Sequence, residues 1–295
     1  MFKCCFSSRY TNKVAAKEVP IKNPIMDEEE FYLKNYNPII LAKGSSSTSF
    51  KINIGNINLT CKKFMKKKRK SAYREVKILK SLDYESYLPR LYKAIETPNH
   101  CYILYQFIEG DDLYKVLTND KYVITQDMIP DIIREITIGL HSLFKYNYVH
   151  LDIKFENIII ESINPIKLKI IDLAFCEKLN NTNKIAVCGT HGYIPPEILL
   201  YNRYFHNSDI WSLGVIMFGL LTCKSLFPLD NKYKGVLEDF NTIKEYAHKH
   251  FETIYEKMDE NCKDLLNKML TKNSAYRISI KGVLYHNFIT RKNEL

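Results

Sequence analysis

The chain has 295 residues, with 43 Lys and Arg against 33 Asp and Glu, giving a formal charge of +10 at pH 7. Its 46% hydrophobic and 26% charged residues suffice for a substantial core and exclude a mostly disordered chain, while ten Gly and ten Pro exclude collagen-like and proline-rich architectures. The basic excess admits a nucleic acid, an anionic membrane surface or an acidic protein as partner, and composition does not choose among them.

Residues 1–34 are polar and aperiodic, carry Pro20, Pro24 and the acidic run 27–30, and are predicted to be a disordered extension without a core of its own. Cys4-Cys5 is a candidate lipidation site there, set against a plain solvated tail. No signal peptide is recognisable and no C-x-x-C pair occurs among the eight cysteines. The expected setting is therefore a reducing intracellular compartment, cytoplasmic or nuclear, with free thiols. From Tyr36 onward short strands are predicted at 38–41, 50–54 and 57–64, with Gly55-Asn56 between the last two as a hairpin signal. A helix over 71–82 and strands at 91–95 and 101–105 follow. Beyond Gly110 the pattern turns helical. Apolar residues at 129, 132, 133, 136, 140, 143 and 144 share one helical face, and further helices are predicted at 210–221, 261–271 and 279–285. The run 210–221 is too short to span a membrane and reads as a buried helix. The whole predicts an α+β chain of two lobes: a small antiparallel sheet with one helix over 35–108, a larger helical part over 109–290, and a tail at 291–295. A ligand site is expected in the cleft between them.

Val149-His150-Leu151-Asp152-Ile153-Lys154-Phe155-Glu156-Asn157 resembles the H-R-D-x-K-x-x-N catalytic loop of eukaryotic protein kinases. Lys169-Ile170-Ile171-Asp172-Leu173-Ala174 stands where that family has D-F-G, and Gly189–Glu197 matches G-T-x-x-Y-x-A-P-E. Asp209-Ile210-Trp211-Ser212-Leu213-Gly214 and Arg277 follow in family order. Over about residues 35–290 the sequence thus resembles a serine/threonine protein kinase, which implies the two-lobed protein-kinase-like fold and the use of ATP and Mg²⁺.

By that resemblance, Asp152 accepts the proton of the substrate hydroxyl, Lys154 lies beside the transferring phosphoryl group, and Asn157 and Asp172 hold Mg²⁺. Leu59-Thr60-Cys61-Lys62 fits V-A-I-K, making Lys62 the phosphate clamp and Glu75 its helix partner, with Lys63 as the register alternative. Alternation along a strand sends the two lysines to opposite faces, so both cannot enter the cleft. The nucleotide loop would comprise Leu41, Ala42, Lys43, Gly44, Ser47 and Ser49. It keeps only Gly44 of the family's glycines, and Ser49 replaces the valine that packs on adenine, so weaker ATP binding is expected. Gln106 and Ile108 would offer backbone hydrogen bonds to adenine, Tyr105 would stand behind it, and Asp112 would contact ribose or substrate.

The resemblance, through Lys154 and Thr190, implies Ser/Thr rather than Tyr acceptors, and Glu197 with Arg277 is expected to form a buried structural ion pair. Leu151 replaces the arginine that in many family members receives an activation-loop phosphate, and Thr182 is the only Ser or Thr between Ala174 and Gly189. Activity without phosphorylation of that loop is therefore expected. Ala174 in place of glycine is expected to hold the magnesium aspartate more firmly.

The run 62–70 is strongly basic and resembles the casein-kinase-two type, where such a cluster receives acidic residues flanking the target. Lys67, Lys68 and Arg69 are the candidate contacts, against a solvated face or a nuclear-import or nucleic-acid patch. Six charges between 63 and 70 leave +4 for the rest, which favours an acidic protein substrate over nucleic acid. A monomer acting on protein substrates is expected. The rival reading is a nucleotide-binding scaffold without phosphoryl transfer.

Overall fold

The computed structural model describes residues 33–44, 47–82, 85–180, 183–239 and 241–291. Cys4, Cys5, the acidic run 27–30 and Thr182 lie outside these residues. The first part is an antiparallel sheet of β1 (Ile39–Lys43), β2 (Ser47–Ile54), β3 (Ile57–Met65), β4 (Leu91–Glu96) and β5 (His100–Gln106), in the order β1-β2-β3-β5-β4. One helix, α1 (Arg69–Ser81), connects β3 to β4. Ile54 pairs with Ile57, so Gly55-Asn56 forms a two-residue turn, with Gly55 at a φ of 63° that favours glycine.

Side chains alternate faces along a strand, and here the two faces have different fates. Ile52, Leu59, Cys61, Tyr102 and Leu104 form a small cluster on one face. Phe64, Cys101, Ile103 and Tyr105 turn to the other and join Ala72, Ile78 and Leu79 of α1 in the main core. Register places Ser49 opposite Lys62, Lys62 opposite Ile103, and Thr60 opposite Tyr105, so these residues share the α1 face. In α1 the buried positions Ala72, Glu75, Ile78 and Leu79 recur at helical spacing. Glu75 therefore occupies the stripe aimed at the sheet.

The second part opens with β6 (Asp111–Asp112), α2 (Leu113–Thr118) and α3 (Ile129–Lys145). Four more short strands follow: β7 (Tyr148–Val149), β8 (Ile158–Ile163), β9 (Ile166–Ile170) and β10 (Glu177–Lys178). The remaining helices are α4 (Pro196–Tyr201), α5 (Ser208–Thr222), α6 (Tyr233–Asp239), α7 (Ile243–Glu256), α8 (Glu260–Met269), α9 (Ile280–Leu284) and α10 (Asn287–Thr290). α3 buries the predicted apolar face from Ile129 to Leu143, and α5 is buried all round from Ser208 to Leu220. Beyond Gly110 the chain is mostly helical, as expected, with a few short strands among the helices. β6 pairs with β8 and β8 with β9, while β10 pairs with β7, so two small sheets flank the segment from 148 to 178. Among the described residues no helix is long and apolar enough to cross a membrane.

Candidate active site

The loop after β7 hangs from α5. The backbone N–H groups of His150 and Leu151 donate to the two carboxylate oxygens of Asp209, at 2.7 and 2.8 Å. Leu151 takes a φ of 67° and is 3% exposed, so an apolar side chain fills the position where the resemblance expects arginine. The buried His150 ring lies 3.0 Å, through Nε2, from the carbonyl of Ile171, tying this loop to the residue before Asp172. Neither His150 nor Asp209 received a role from the sequence. The D-x-W-S-x-G motif carried the signal for Asp209.

Suspended in this way, Asp152 is 5% exposed and its carboxylate is held on both sides. Asn157 Nδ2 donates to the Asp152 carbonyl at 2.7 Å and to Asp152 Oδ2 at 3.1 Å. The Thr190 hydroxyl donates to Asp152 Oδ1 at 2.8 Å and accepts from Lys154 Nζ at 2.9 Å. Lys154 Nζ stands 3.4 Å from Asp152 Oδ2. Thr190 thus bridges the lysine and the aspartate. Its approach depends on Gly189, which has a φ of 96°; a Cβ there would sit 2.8 Å from the Leu151 carbonyl oxygen.

Asp172 has left-handed backbone angles, φ 64° and ψ 76°, which Asp tolerates better than most residues. Its Oδ1 accepts from Ala174 N at 3.3 Å, and buried Leu173 anchors the turn that follows. Lys62 Nζ reaches the same Oδ1 at 2.7 Å and the two oxygens of Glu75 at 3.0 and 2.9 Å. Lys63, on the opposite strand face, joins none of these groups. Burial works against a charged Lys62, yet Glu75 and Asp172 outweigh it and raise the ammonium above the ordinary lysine range. Burial also raises Asp172, but Lys62 overrides it and holds the carboxyl below its usual range. For Glu75 burial dominates and pushes the carboxyl up, against the pull of Lys62. The two short contacts from a charged amine are nevertheless those of an ion pair.

The remaining candidates are spread around this centre. Leu41, Ala42 and Lys43 are exposed on β1, and the Gly44 N–H donates to the Ser47 carbonyl at 2.9 Å. The Ser49 hydroxyl hydrogen-bonds the buried Tyr105 hydroxyl, whose titration burial pushes upward, so roof and back wall of the predicted adenine pocket meet. Gln106 ends β5, and Ile108, 8% exposed, lies in the segment leading to β6. Asp112 caps α2, accepting the Lys115 N–H at 2.9 Å and pairing with Lys115 Nζ at 2.8 Å. Lys67, Lys68 and Arg69 are exposed at the start of α1, whereas neighbouring Lys66 pairs with Glu96. Glu197 and Arg277 form a buried, two-pronged ion pair at 2.7 Å on each prong.

Asn157 spends its Nδ2 on Asp152, which leaves the amide oxygen Oδ1 as a free-standing acceptor, and the Asn157 carbonyl accepts from the N–H of Ile171, the residue before Asp172, at 2.9 Å. The Asn157 amide oxygen and the Asp172 carboxylate are donors of a kind that suits Mg²⁺, which keeps waters and takes further ligands from phosphates. Among the described residues no group of three His, Cys, Asp or Glu side chains could hold a metal unaided.

Residues 40–289 match the family model described as protein kinase domain. Myosin light chain kinase 2, skeletal/cardiac muscle, of Rattus norvegicus is 28% identical over 234 residues, covering 79% of this chain and 38% of that protein. Serine/threonine-protein kinase unc-51 of Caenorhabditis elegans is 32% identical over 249 residues, covering 79% and 28% respectively. Myosin light chain kinase 3 of Homo sapiens is 28% identical over 224 residues, covering 76% and 27%. The chain thus spans between about a quarter and two fifths of the curated relatives it matches. With a match over 250 of its 295 residues, and with the sheet, helices and hydrogen-bonded loop described above, this chain belongs to the protein kinase family.

Proposed function

We propose that this chain transfers the γ-phosphoryl group of ATP, with Mg²⁺, to serine or threonine hydroxyls of protein substrates. The observation that carries the reading is a pair of polar groups tied together through the backbone, where the N–H of Ile171, next to Asp172, donates to the Asn157 carbonyl at 2.9 Å. Lys62 of β3 touches both Glu75 of α1 and Asp172 of the second part, while Asp152, Lys154, Asn157 and Thr190 form a hydrogen-bonded group beside it. Phosphoryl transfer asks mainly for positioning and for neutralisation of phosphate charge, and these residues supply both.

Asp152 is the group that would orient the acceptor hydroxyl and take its proton. An ionised carboxylate has about four acceptor sites, so the bonds from Thr190 and Asn157 leave room for that hydroxyl. Lys154, fixed by Thr190 and 3.4 Å from Asp152 Oδ2, would bring a positive charge to the transferring phosphoryl group. Lys62 has three N–H donors. Glu75 holds two, and the third, now on Asp172, is the one phosphate oxygens would take. Asn157 and Asp172 would hold Mg²⁺, which when bound neutralises charge on the phosphates. The relative named as a serine/threonine-protein kinase supports the class of hydroxyl.

The substrate preference we propose is acidic. Lys67, Lys68 and Arg69 are exposed on the turn that leads into the helix bearing Glu75, six residues or about 9 Å along its axis from Arg69. Transfer from labelled ATP to mixed proteins should yield phosphoserine and phosphothreonine and stop when EDTA removes divalent cations; phosphotyrosine as the main product would refute the reading. Peptides with acidic flanks should be favoured at low salt and lose that advantage at high salt. Equal rates for acidic and basic flanks would reject the acidic preference alone.

A further inference from the structure

We propose that Arg74 is a positioning residue which clamps α1 onto the segment after Asp172, and that Glu177 provides there the fixed negative charge a phosphate would otherwise bring. The inference rests on the kinase reading above and adds how the site is held in register. Arg74 directly precedes Glu75, and neighbouring residues on a helix point about 100° apart. Glu75 turns inward to Lys62, and Arg74 turns toward the stretch 174–177.

The guanidinium forks. Nη1 donates to the Glu177 carboxylate and Nη2 donates to the Ala174 carbonyl. A planar fork with fixed donors suits such a two-point grip, which a lysine could not reproduce. Both ends matter to the reaction. Ala174 is the residue whose N–H holds the Asp172 carboxylate, and Glu177 pairs with Val149, next to His150 and two residues before Leu151. One side chain therefore joins the helix carrying Glu75, the turn carrying Asp172 and the strand leading into the loop of Asp152.

Activation by phosphate requires a cation waiting for it. Leu151 fills the position where the resemblance expects arginine and is buried among apolar residues, so that position offers no guanidinium. Arg74, which does reach this segment, is already engaged by a carboxylate encoded in the chain. An α1 held by Glu177 does not need a phosphate to bring Glu75 to Lys62.

The test uses the full chain, treated with phosphatase and verified by mass, beside untreated protein. Phosphatase treatment should leave kcat within about twofold. Arg74→Ala and Glu177→Ala should each lower kcat about fivefold with little change in peptide KM, and the double variant should be no worse than the poorer single. Arg74→Lys, which keeps the charge but loses the fork, should fall between Arg74→Ala and wild type. Amide exchange should quicken in residues 69–81 and 173–179 of both alanine variants, while thermal unfolding stays near that of wild type. Additive effects, unchanged exchange, or a wild type silenced by phosphatase would each overturn the clamp. A wild type inactive before and after phosphatase would instead refute the kinase reading, and the exchange measurement would still decide whether Arg74 and Glu177 hold α1.

Discussion

Arg277→Ala offers the sharpest test of the packing beneath the site. The Arg277 side chain is fully buried and Glu197 nearly so, and their two contacts are 2.7 Å each. Arg277 also donates to the carbonyls of Thr271, Asn207 and Lys272, at 3.0, 3.1 and 3.3 Å, and its guanidinium stacks 5.4 Å from the Trp211 ring. Truncation would leave an unpaired buried carboxylate with only the Ser208 hydroxyl, at 2.7 Å, still donating to it. Breaking a buried pair in this way costs about 3–5 kcal/mol, and the abandoned carbonyls push the value toward the upper end. For a chain of this size that corresponds to a fall in apparent Tm of about 5–8 °C. Because α4 and α5 converge on this pair, the loop suspended from Asp209 should loosen too. Urea unfolding of Arg277→Ala, Glu197→Ala and the double variant measures the effect. The double variant should lose much less than the sum of the singles, since it removes both charges. A loss below about 1 kcal/mol for Arg277→Ala would refute the reasoning.

Four further outcomes follow from the same contacts. Gly189→Ala adds a Cβ 2.8 Å from the Leu151 carbonyl at a left-handed φ, and should cost about 1–3 kcal/mol and lower kcat, as seen by calorimetry and steady-state kinetics. Leu151→Arg would bury a guanidinium at a 3% exposed position, and should destabilise the fold by about 3 kcal/mol or more instead of conferring dependence on phosphate. Thr182→Ala, purified unphosphorylated, should keep full activity, and an inactive variant would contradict that expectation. Asp172 is held below its ordinary range, so its ionised form favours folding above about pH 4 and the benefit fades as pH falls through its lowered value. The stability difference between wild type and Asp172→Asn should accordingly be flat from pH 6 to 8 and shrink in acid.

The sheet was readable because its signals are local. Gly55-Asn56 marks the β2–β3 turn, and the alternation that buries Leu59 and Cys61 on one side puts Lys62 on the other. α3 and α5 announced themselves by apolar periodicity and by an apolar run interrupted only by Ser212 between Ile210 and Leu221. The β8–β9 hairpin was less legible: Ile158-Ile159-Ile160 is a run without alternation, although Ile166, Leu168 and Ile170 do alternate. The turn between them, Asn164-Pro165, looks like any loop. Within the candidate site, residues supported by several motifs in order could be proposed from the sequence. Those acting through backbone groups could not. Asp209 holds two N–H groups 58 and 59 residues away, and the Tyr105–Ser49 bond depends on strand register. Arg74 was invisible for a similar reason, because a surface arginine beside a motif glutamate carries no signal until the chain returns at 174–177.

Phosphoryl transfer by this chain would use Asp152 as the group that takes the hydroxyl proton. Single-turnover transfer from labelled ATP to a serine-containing protein, compared between wild type and Asp152→Asn, tests it most directly. The asparagine keeps the size of the side chain and can still meet Thr190 and Asn157, but it cannot accept the proton. Transfer should fall by about 10²-fold or more while ATP still binds. Transfer at the wild-type rate in Asp152→Asn would show that Asp152 does not take the proton.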